Sequence, residues 1–302
     1  DIRFVAGGTT LIDLMKLDVE QPQQIIDINK LPLAEIERTS DGGLKIGALV
    51  RNADLANHRD VVQHYPVLSE ALLSGATGQL RNMATTGGNL LQRTRCVYFR
   101  DSASACNKRQ PGSGCSAIGG FNRNLAVLGT SEHCIASNPS DMNVALAALE
   151  ATVVIQGVKG KRHVPIDAFF LLPGDTPDRE TVMLPGDLIT HVLIPPSTDA
   201  RSHYLKLRDR ASYEFALASA AVVVTMHGRT MTQARVALGG VGTRPWRSRE
   251  AEEILRGKTA GRDLFAKAAD AALHGAHPQS QNGFKVDLAK RCLIQALATA
   301  TA

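Results

Sequence analysis

The stretch Ile2-Arg3-Phe4-Val5-Ala6-Gly7-Gly8-Thr9-Thr10-Leu11-Ile12-Asp13-Leu14-Met15-Lys16-Leu17 reads as a strand, a glycine turn and a helix. Ile2 to Ala6 is a short apolar run, Gly7-Gly8 interrupts it, and Leu11, Ile12, Leu14, Met15 and Leu17 then recur at helical spacing. Where a strand feeds a helix, backbone N–H groups and the helix N-terminus cradle a phosphate, and glycine lets it approach closely. A plain tight turn uses the same letters. Ile25, Ile26 and Ile28 predict a second strand, and Leu44 to Val50, after the turn Asp41-Gly42-Gly43, a third. The first fifty residues therefore read as α/β.

Further along, Val67, Leu68, Ala71 and Leu72 keep helical spacing, and between Gly75 and Gly120 the pattern dissolves into Gly, Arg, Asn, Ser and Cys. Ser140 is placed to cap a helix running through Leu149, and Thr152 to Ile155 and Leu188 to Ile194 predict strands of a second, β-rich unit. Pro195-Pro196-Ser197-Thr198 marks a boundary. Beyond it, Tyr204 to Leu207, Ala216 to Met226 and Met231 to Leu238 predict a three-stranded antiparallel piece. Helices follow, marked by Ala251, Ile254 and Leu255, then Leu264, Ala268 and Ala272, then Val286, Leu288, Leu293 and Leu297. A chain of 302 residues is expected to divide into at least two domains.

Hydrophobic residues at 44% and charged residues at 21% match a globular chain and disfavour disorder. The net charge of +5 and 4% aromatics provide neither a dense basic stripe nor stacking platforms, so nucleic acid is not an expected partner. No apolar run is long enough to span a membrane, and the opening residues lack a signal-peptide layout. Because the chain opens inside a strand without Met, a short native N-terminal segment is expected to precede it.

Thr85-Thr86-Gly87-Gly88-Asn89-Leu90 is a second glycine pair, flanked by hydroxyls and an amide suited to a diphosphate or sugar hydroxyls. Two such elements can hold one extended dinucleotide from both sides. Neither completes the G-x-G-x-x-G fingerprint, and Gly257-Lys258-Thr259 lacks the earlier glycine of a P-loop. Cys96, Cys106, Cys115 and Cys134 follow one another with nine, eight and eighteen residues between neighbours. Two disulfides, a four-thiolate zinc site or an iron–sulfur cluster would each account for them. No C-x₂₋₄-C knuckle is present, and the wide spacing suits a loop wrapped round a larger cluster, with Gly112 and Gly114 letting Cys115 approach. Cys292, on an amphipathic segment, reads as a buried bystander.

Taken in order, Phe4 to Leu11, Thr85 to Asn89, Pro139-Ser140-Asp141 and Tyr204-Leu205-Lys206 resemble the FAD-binding segments of the medium subunit of the xanthine dehydrogenase and aldehyde oxidoreductase (molybdenum hydroxylase) family. The segments Cys96 to Asp101, Cys106 to Arg109, Pro111 to Cys115 and Cys134 resemble the [4Fe–4S] insertion of periplasmic aldehyde oxidoreductase FAD subunits, which most of the family lacks.

The resemblance implies an α+β fold. An FAD-binding PCMH-type (vanillyl-alcohol-oxidase-like) domain of two α/β subdomains would cover 1–198, with the iron–sulfur loop at about 92–136. A CO-dehydrogenase-flavoprotein-type C-terminal domain, with a three-stranded antiparallel sheet and helices, would cover 199–302. Arg3, Phe4, Val5, Ala6, Gly7, Gly8, Thr9, Thr10 and Leu11 would wrap the FAD pyrophosphate. Thr85, Gly88 and Asn89 would form the second grip, with Ser140 beside it. Asp141 would bind the ribityl or adenosine side, Ile189 would offer a backbone contact, and Lys206 would reach the flavin. Relatives often carry Asp seven positions after that lysine. Tyr213 stands there instead, which speaks against a Lys–Asp pair and for an aromatic side chain near the flavin.

Cys96, Cys106, Cys115 and Cys134 would hold the [4Fe–4S] cluster. Implied partners are a large molybdenum-cofactor subunit, a small subunit with two [2Fe–2S] clusters, and an external electron acceptor. The implied reaction is aldehyde to carboxylate, in the periplasm as the passenger of a signal-bearing partner, or alternatively in the cytoplasm. A 4-hydroxybenzoyl-CoA reductase-like complex and a non-redox zinc scaffold are the competing expectations.

Overall fold

A computed structural model of the chain describes residues 2–197 and 199–302. Thr198, the last residue of the expected boundary, lies outside the described residues. The first unit is small: β1 (Ile2–Val5) and β2 (Gln24–Asp27) pair in parallel, with α1 (Leu11–Lys16) in the crossover that parallel pairing requires. Gly8, at φ +71°, makes the left-handed turn from β1 toward α1.

The second unit is an antiparallel sheet of β3 (Ile36–Arg38), β4 (Leu44–Gly47), β5 (Thr152–Gly157), β6 (Gly160–Pro165) and β7 (Leu188–Ile194), ordered β3-β4-β7-β5-β6. The strand expected over Leu44 to Val50 stops at Gly47, where a side chain would meet the Leu33 carbonyl at 2.1 Å as the chain crosses over itself. Between β4 and β5 run α2 (Asn52–Asn57), α3 (Arg59–His64), α4 (Pro66–Ser74), α5 (Gly78–Met83), α6 (Thr86–Leu90), α7 (Val97–Arg100) and α8 (Asp141–Ala148); α9 (Ile166–Phe169) follows β6. The stretch from Gly75 to Gly120, patternless in sequence, thus holds three short helices. Each is under two turns long, too short to repeat an apolar spacing. Ser140 caps α8 as its sequence suggests, accepting a hydrogen bond from the Asn143 N–H.

The last unit carries β8 (Arg201–Leu207), β9 (Ala218–His227), β10 (Thr230–Gly239), β11 (Trp246–Arg247) and β12 (Lys258–Thr259) in one antiparallel sheet, with α10 (Arg249–Leu255), α11 (Arg262–Ala272) and α12 (Phe284–Thr301). The three expected strands are there, and the two-residue β11 and β12, both paired to β10, bring the sheet to five. β9 is buried from Ala218 to Val224, with α12 over it on one side and α8 and α4 contributing on the other. Small Ala218, Ala220 and Ala221 make that double covering possible. Tyr204, Ala221, Val223 and Ala237 of this unit join the core built by the second unit's sheet and helices.

One buried cation ties the last unit to the cysteine loop. Lys285, at the start of α12, is fully buried and donates to the carbonyls of Asn124 (3.2 Å), Leu125 (2.8 Å) and Gly240 (2.6 Å). The Asn282 side-chain amide reaches the Leu125 and Ala126 carbonyls beside it. Lys285→Met would strand those acceptors and is expected to lower stability by about 2 kcal/mol. A urea midpoint equal to that of the parent protein would refute this.

Candidate functional site: two glycine turns, two cavities and a cysteine cluster

The two glycine motifs are built against each other. A side chain at Gly7 would lie 1.9 Å from the carbonyl oxygen of Met83, two residues before Thr85 in the chain. Arg51 donates to that same carbonyl and, at 3.2 Å, to Asn29 Oδ1, while Asn29 Nδ2 donates to the Ala6 carbonyl at 3.0 Å. The second motif is a helix start rather than a free loop: Thr85 Oγ1 accepts from the Gly88 N–H at 3.2 Å, and Thr86 Oγ1 donates to the Val50 carbonyl. Ser140 Oγ, besides capping α8, donates to Asn89 Oδ1 at 2.7 Å and so orients that amide.

Two adjoining cavities open from this junction. One, of about 480 Å³, is lined by the whole run Arg3 to Leu11 and by Thr85, Gly88 and Ile189, with Leu14, Leu90 and Phe170 among its apolar walls. The other, of about 750 Å³, is lined by Asn89, Asp141, Lys206 and Tyr213. Thr9, Thr10 and Gly88 border both. Sixteen of the seventeen residues expected to bind the cofactor therefore line one space or the other, and the exception, Ser140, acts through Asn89. A glycine-lined backbone cradle between two spaces suits an elongated ligand with a diphosphate at its middle.

The far end of the second cavity carries a buried ion pair. Lys206 Nζ donates to Asp141 Oδ2 at 2.8 Å and to the Ser74 carbonyl at 3.2 Å, and Tyr204 OH donates to Asp141 Oδ1 at 2.6 Å. Both side chains of the pair are under 10% exposed. Burial and the neighbouring Asp141 carboxylate push the Tyr204 phenol well up, keeping it a neutral donor. This corrects the expectation that Tyr213 leaves Lys206 without an acidic partner, because Asp141 supplies the carboxylate from the N-terminus of α8. Each Asp141 oxygen accepts from one of these donors, and the residue also lines the second cavity. Tyr213 stands at the cavity wall in a half-exposed, left-handed turn (φ +53°), with the Arg210 guanidinium 5.5 Å from its ring centre.

Cys96, Cys106, Cys115 and Cys134 all border one small void of about 10 Å³, room for about one water. Cys106 and Cys115 face each other across an antiparallel bridge. That bridge is closed by Asn107, whose Oδ1 accepts from the Gly114 N–H at 2.8 Å, and by Ser113 Oγ, which accepts from the Cys106 N–H at 3.0 Å. Gly112 and Gly114 take left-handed angles there, as their placement before Cys115 suggests. Arg109 gathers the carbonyls of Tyr98, Phe99, Ser102 and Ser104.

All five cysteines are free thiols. Burial pushes Cys96 up to about 11 and Cys134 upward, with the nearby Lys108 acting in the opposite sense on Cys134. Among the described residues no three potential ligands close on a single ion. A zinc ion would need its sulfurs drawn in to about 2.3 Å from one point. Four thiols of one kind, gathered from separate segments round a common space, are a donor set that would fit an iron–sulfur cluster, as they would a four-thiolate zinc ion. Cys292 lies apart, fully buried on α12 with its thiol pushed up to about 12, as a bystander would be.

Residues 1–197 match the model of the FAD-binding domain in molybdopterin dehydrogenase, and residues 202–300 match that of the CO dehydrogenase flavoprotein C-terminal domain. The chain is an FAD-binding medium subunit of the molybdenum hydroxylase family. It is 52% identical to the aldehyde oxidoreductase FAD-binding subunit PaoB of Escherichia coli K12, over 99% of this chain and 92% of that one. It is 29% identical to the glyceraldehyde dehydrogenase medium chain of Sulfolobus acidocaldarius, over 93% and 82%. Its structure superposes on carbon monoxide dehydrogenase from Hydrogenophaga pseudoflava with a TM-score of 0.78 at 27% identity, covering 99% of this chain and 89% of the other.

The two cavities lie in the part of the chain that matches the FAD-binding domain model, apart from the Lys206 to Phe215 and Thr243 walls. Apart from Arg3, the charged wall of the first cavity carries no signal in the sequence. Arg93 bonds Glu20 (2.7 Å) and Glu180 (2.5 Å), Arg3 reaches Glu20 at 3.2 Å, and Lys108 pairs with Glu180 at 3.1 Å. Arg3, Glu20, Arg93, Lys108 and Glu180 come from five separate places in the chain, so no local spacing announces their pairing. No described helix is long and apolar enough to cross a membrane.

Proposed function

We propose that this medium subunit carries FAD and a [4Fe–4S] cluster in a heterotrimeric molybdenum-containing aldehyde oxidoreductase. Aldehyde would be oxidised to carboxylate at the molybdenum cofactor of a large subunit. The electrons would cross two [2Fe–2S] clusters of a small subunit and leave through this chain to an external acceptor. The observation that carries the substrate class is the 52% identity, over nearly the whole chain, with an aldehyde oxidoreductase FAD-binding subunit. The four thiols round one void support the cluster.

Bound FAD supplies a two-electron store that can be filled and emptied one electron at a time. This chain's residues bind and bias it. The Gly7 to Thr10 turn and the start of α6 would hold the diphosphate between the cavities. Lys206, fixed by Asp141 and the Ser74 carbonyl, would place a buried positive charge at the flavin end, where it favours the anionic reduced form. Tyr213 and Arg210 would border the route by which the acceptor arrives. The compartment that goes with such a loop is the periplasm, reached with a signal-bearing partner; cell fractionation with and without the small subunit tests that route.

The test is the visible spectrum of the purified complex with iron and flavin quantified. About eight irons per FAD are expected, four of them in this chain. Cys106→Ser should bring that to about four while FAD remains. Iron unchanged in the variant would remove Cys106 from the ligand set, and about four irons in the parent complex would refute the cluster.

A further inference from the structure

The flavin space and the cysteine void share a wall, made of Lys108, Cys134 and Ala136, which border both. Lys108 is the charged member. Its side chain is 9% exposed, and its ammonium donates to the Pro177 carbonyl at 2.9 Å and pairs with Glu180 at 3.1 Å. From Glu180 the network runs through Arg93 to Glu20 and Arg3, all on the wall of the first cavity. Arg93 also lies 4.6 Å over the ring of Phe99, another residue lining the cysteine void. Of these charged groups Lys108 borders both spaces, so a positive charge sits in the wall between them with the Glu180 carboxylate as its ion-pair partner.

We propose that Lys108 is a positioning residue that sets the reduction potential of the cysteine-bound cluster, with Glu180 holding its ammonium in place and moderating its effect. A buried positive charge beside an iron–sulfur cluster favours the form carrying the extra electron, and the nearest carboxylate opposes it. Ammonium and carboxylate therefore act with opposite sign on the same one-electron couple. The idea deepens the function proposed above and rests on the four thiols holding a [4Fe–4S] cluster.

The experiment is a redox titration of the purified complex, followed by the paramagnetic signal of the reduced four-iron cluster, with iron and FAD quantified in each sample. Lys108→Met should keep both cofactors and reduce the ratio of reduced to oxidised cluster at a fixed potential by about tenfold, a shift of about 59 mV to lower potential. Lys108→Arg should stay near the parent value, and Glu180→Gln should shift the midpoint upward. Full iron with an unmoved midpoint in Lys108→Met overturns the inference. If Lys108→Met sheds its iron, Glu180→Gln decides, because the lysine keeps its charge and its bond to the Pro177 carbonyl while losing the carboxylate that moderates it: an upward shift supports the role and none removes it. A parent complex without a four-iron signal refutes the cluster itself, a separate outcome.

Discussion

Replacing Gly7 by alanine is expected to empty the flavin site and to destabilise the fold by about 3 kcal/mol. The added methyl would stand 1.9 Å from the Met83 carbonyl oxygen and 3.1 Å from the Ala84 Cα, both backbone atoms that no rotamer change can move aside. Separating the two segments would also strain the Arg51 and Asn29 bonds that hold them, at the place where both cavities begin. Flavin absorbance per protein and the urea midpoint should fall together. Gly78→Ala, five residues before Met83 with open space around its added methyl, is the control and should leave both unchanged. Full flavin content in Gly7→Ala would mean that the two turns do not form one cradle.

Asp141→Ala should be as severe, by a different route. It would strand the Lys206 ammonium, 4% exposed, with only the Ser74 carbonyl, and deprive the Tyr204 hydroxyl of its acceptor. Leaving one partner of a buried ion pair uncompensated costs about 3–5 kcal/mol. Asp141→Asn keeps an acceptor for Tyr204 and loses the charge, so a smaller loss is expected. The combination Asp141→Leu, Lys206→Met and Tyr204→Phe removes every polar group of the cluster and should regain much of the stability. Flavin retention should stay impaired in it. If the combined variant bound FAD as the parent does, the ion pair would be a packing device with no part in holding the cofactor.

The parts of the molecule that were legible in its sequence are those encoded by neighbours in the chain. The turn from β1 to α1, the cap at Ser140 and the long strands β8 to β10 each follow from glycine, hydroxyl or apolar spacing within a dozen residues. That Arg3 to Leu11 act together was implied by the family resemblance, which one continuous segment carries, and this run lines the first cavity. Contacts across the fold were not. Asp141 and Lys206 lie 65 positions apart, and Arg93 and Glu180 lie 87 apart, so the sequence around Lys206, with Tyr213 seven positions on, does not announce its partner. The short helices α5, α6 and α7 escaped because tertiary packing and caps, not amphipathic repeats, keep them helical.

The bonds from Asn282 and Lys285 back to the cysteine loop bear on timing during synthesis. They span 156 and 160 residues to Ala126 and Leu125. At about 5–20 residues per second, the base of the loop waits roughly 8 to 30 s after its own synthesis before the groups that lock it leave the ribosome. Throughout that interval the base of the segment that bears the four thiols lacks these bonds, and the proposed cluster would have that time to be inserted. The start of helix α12 would thus act as the latch that ends that interval.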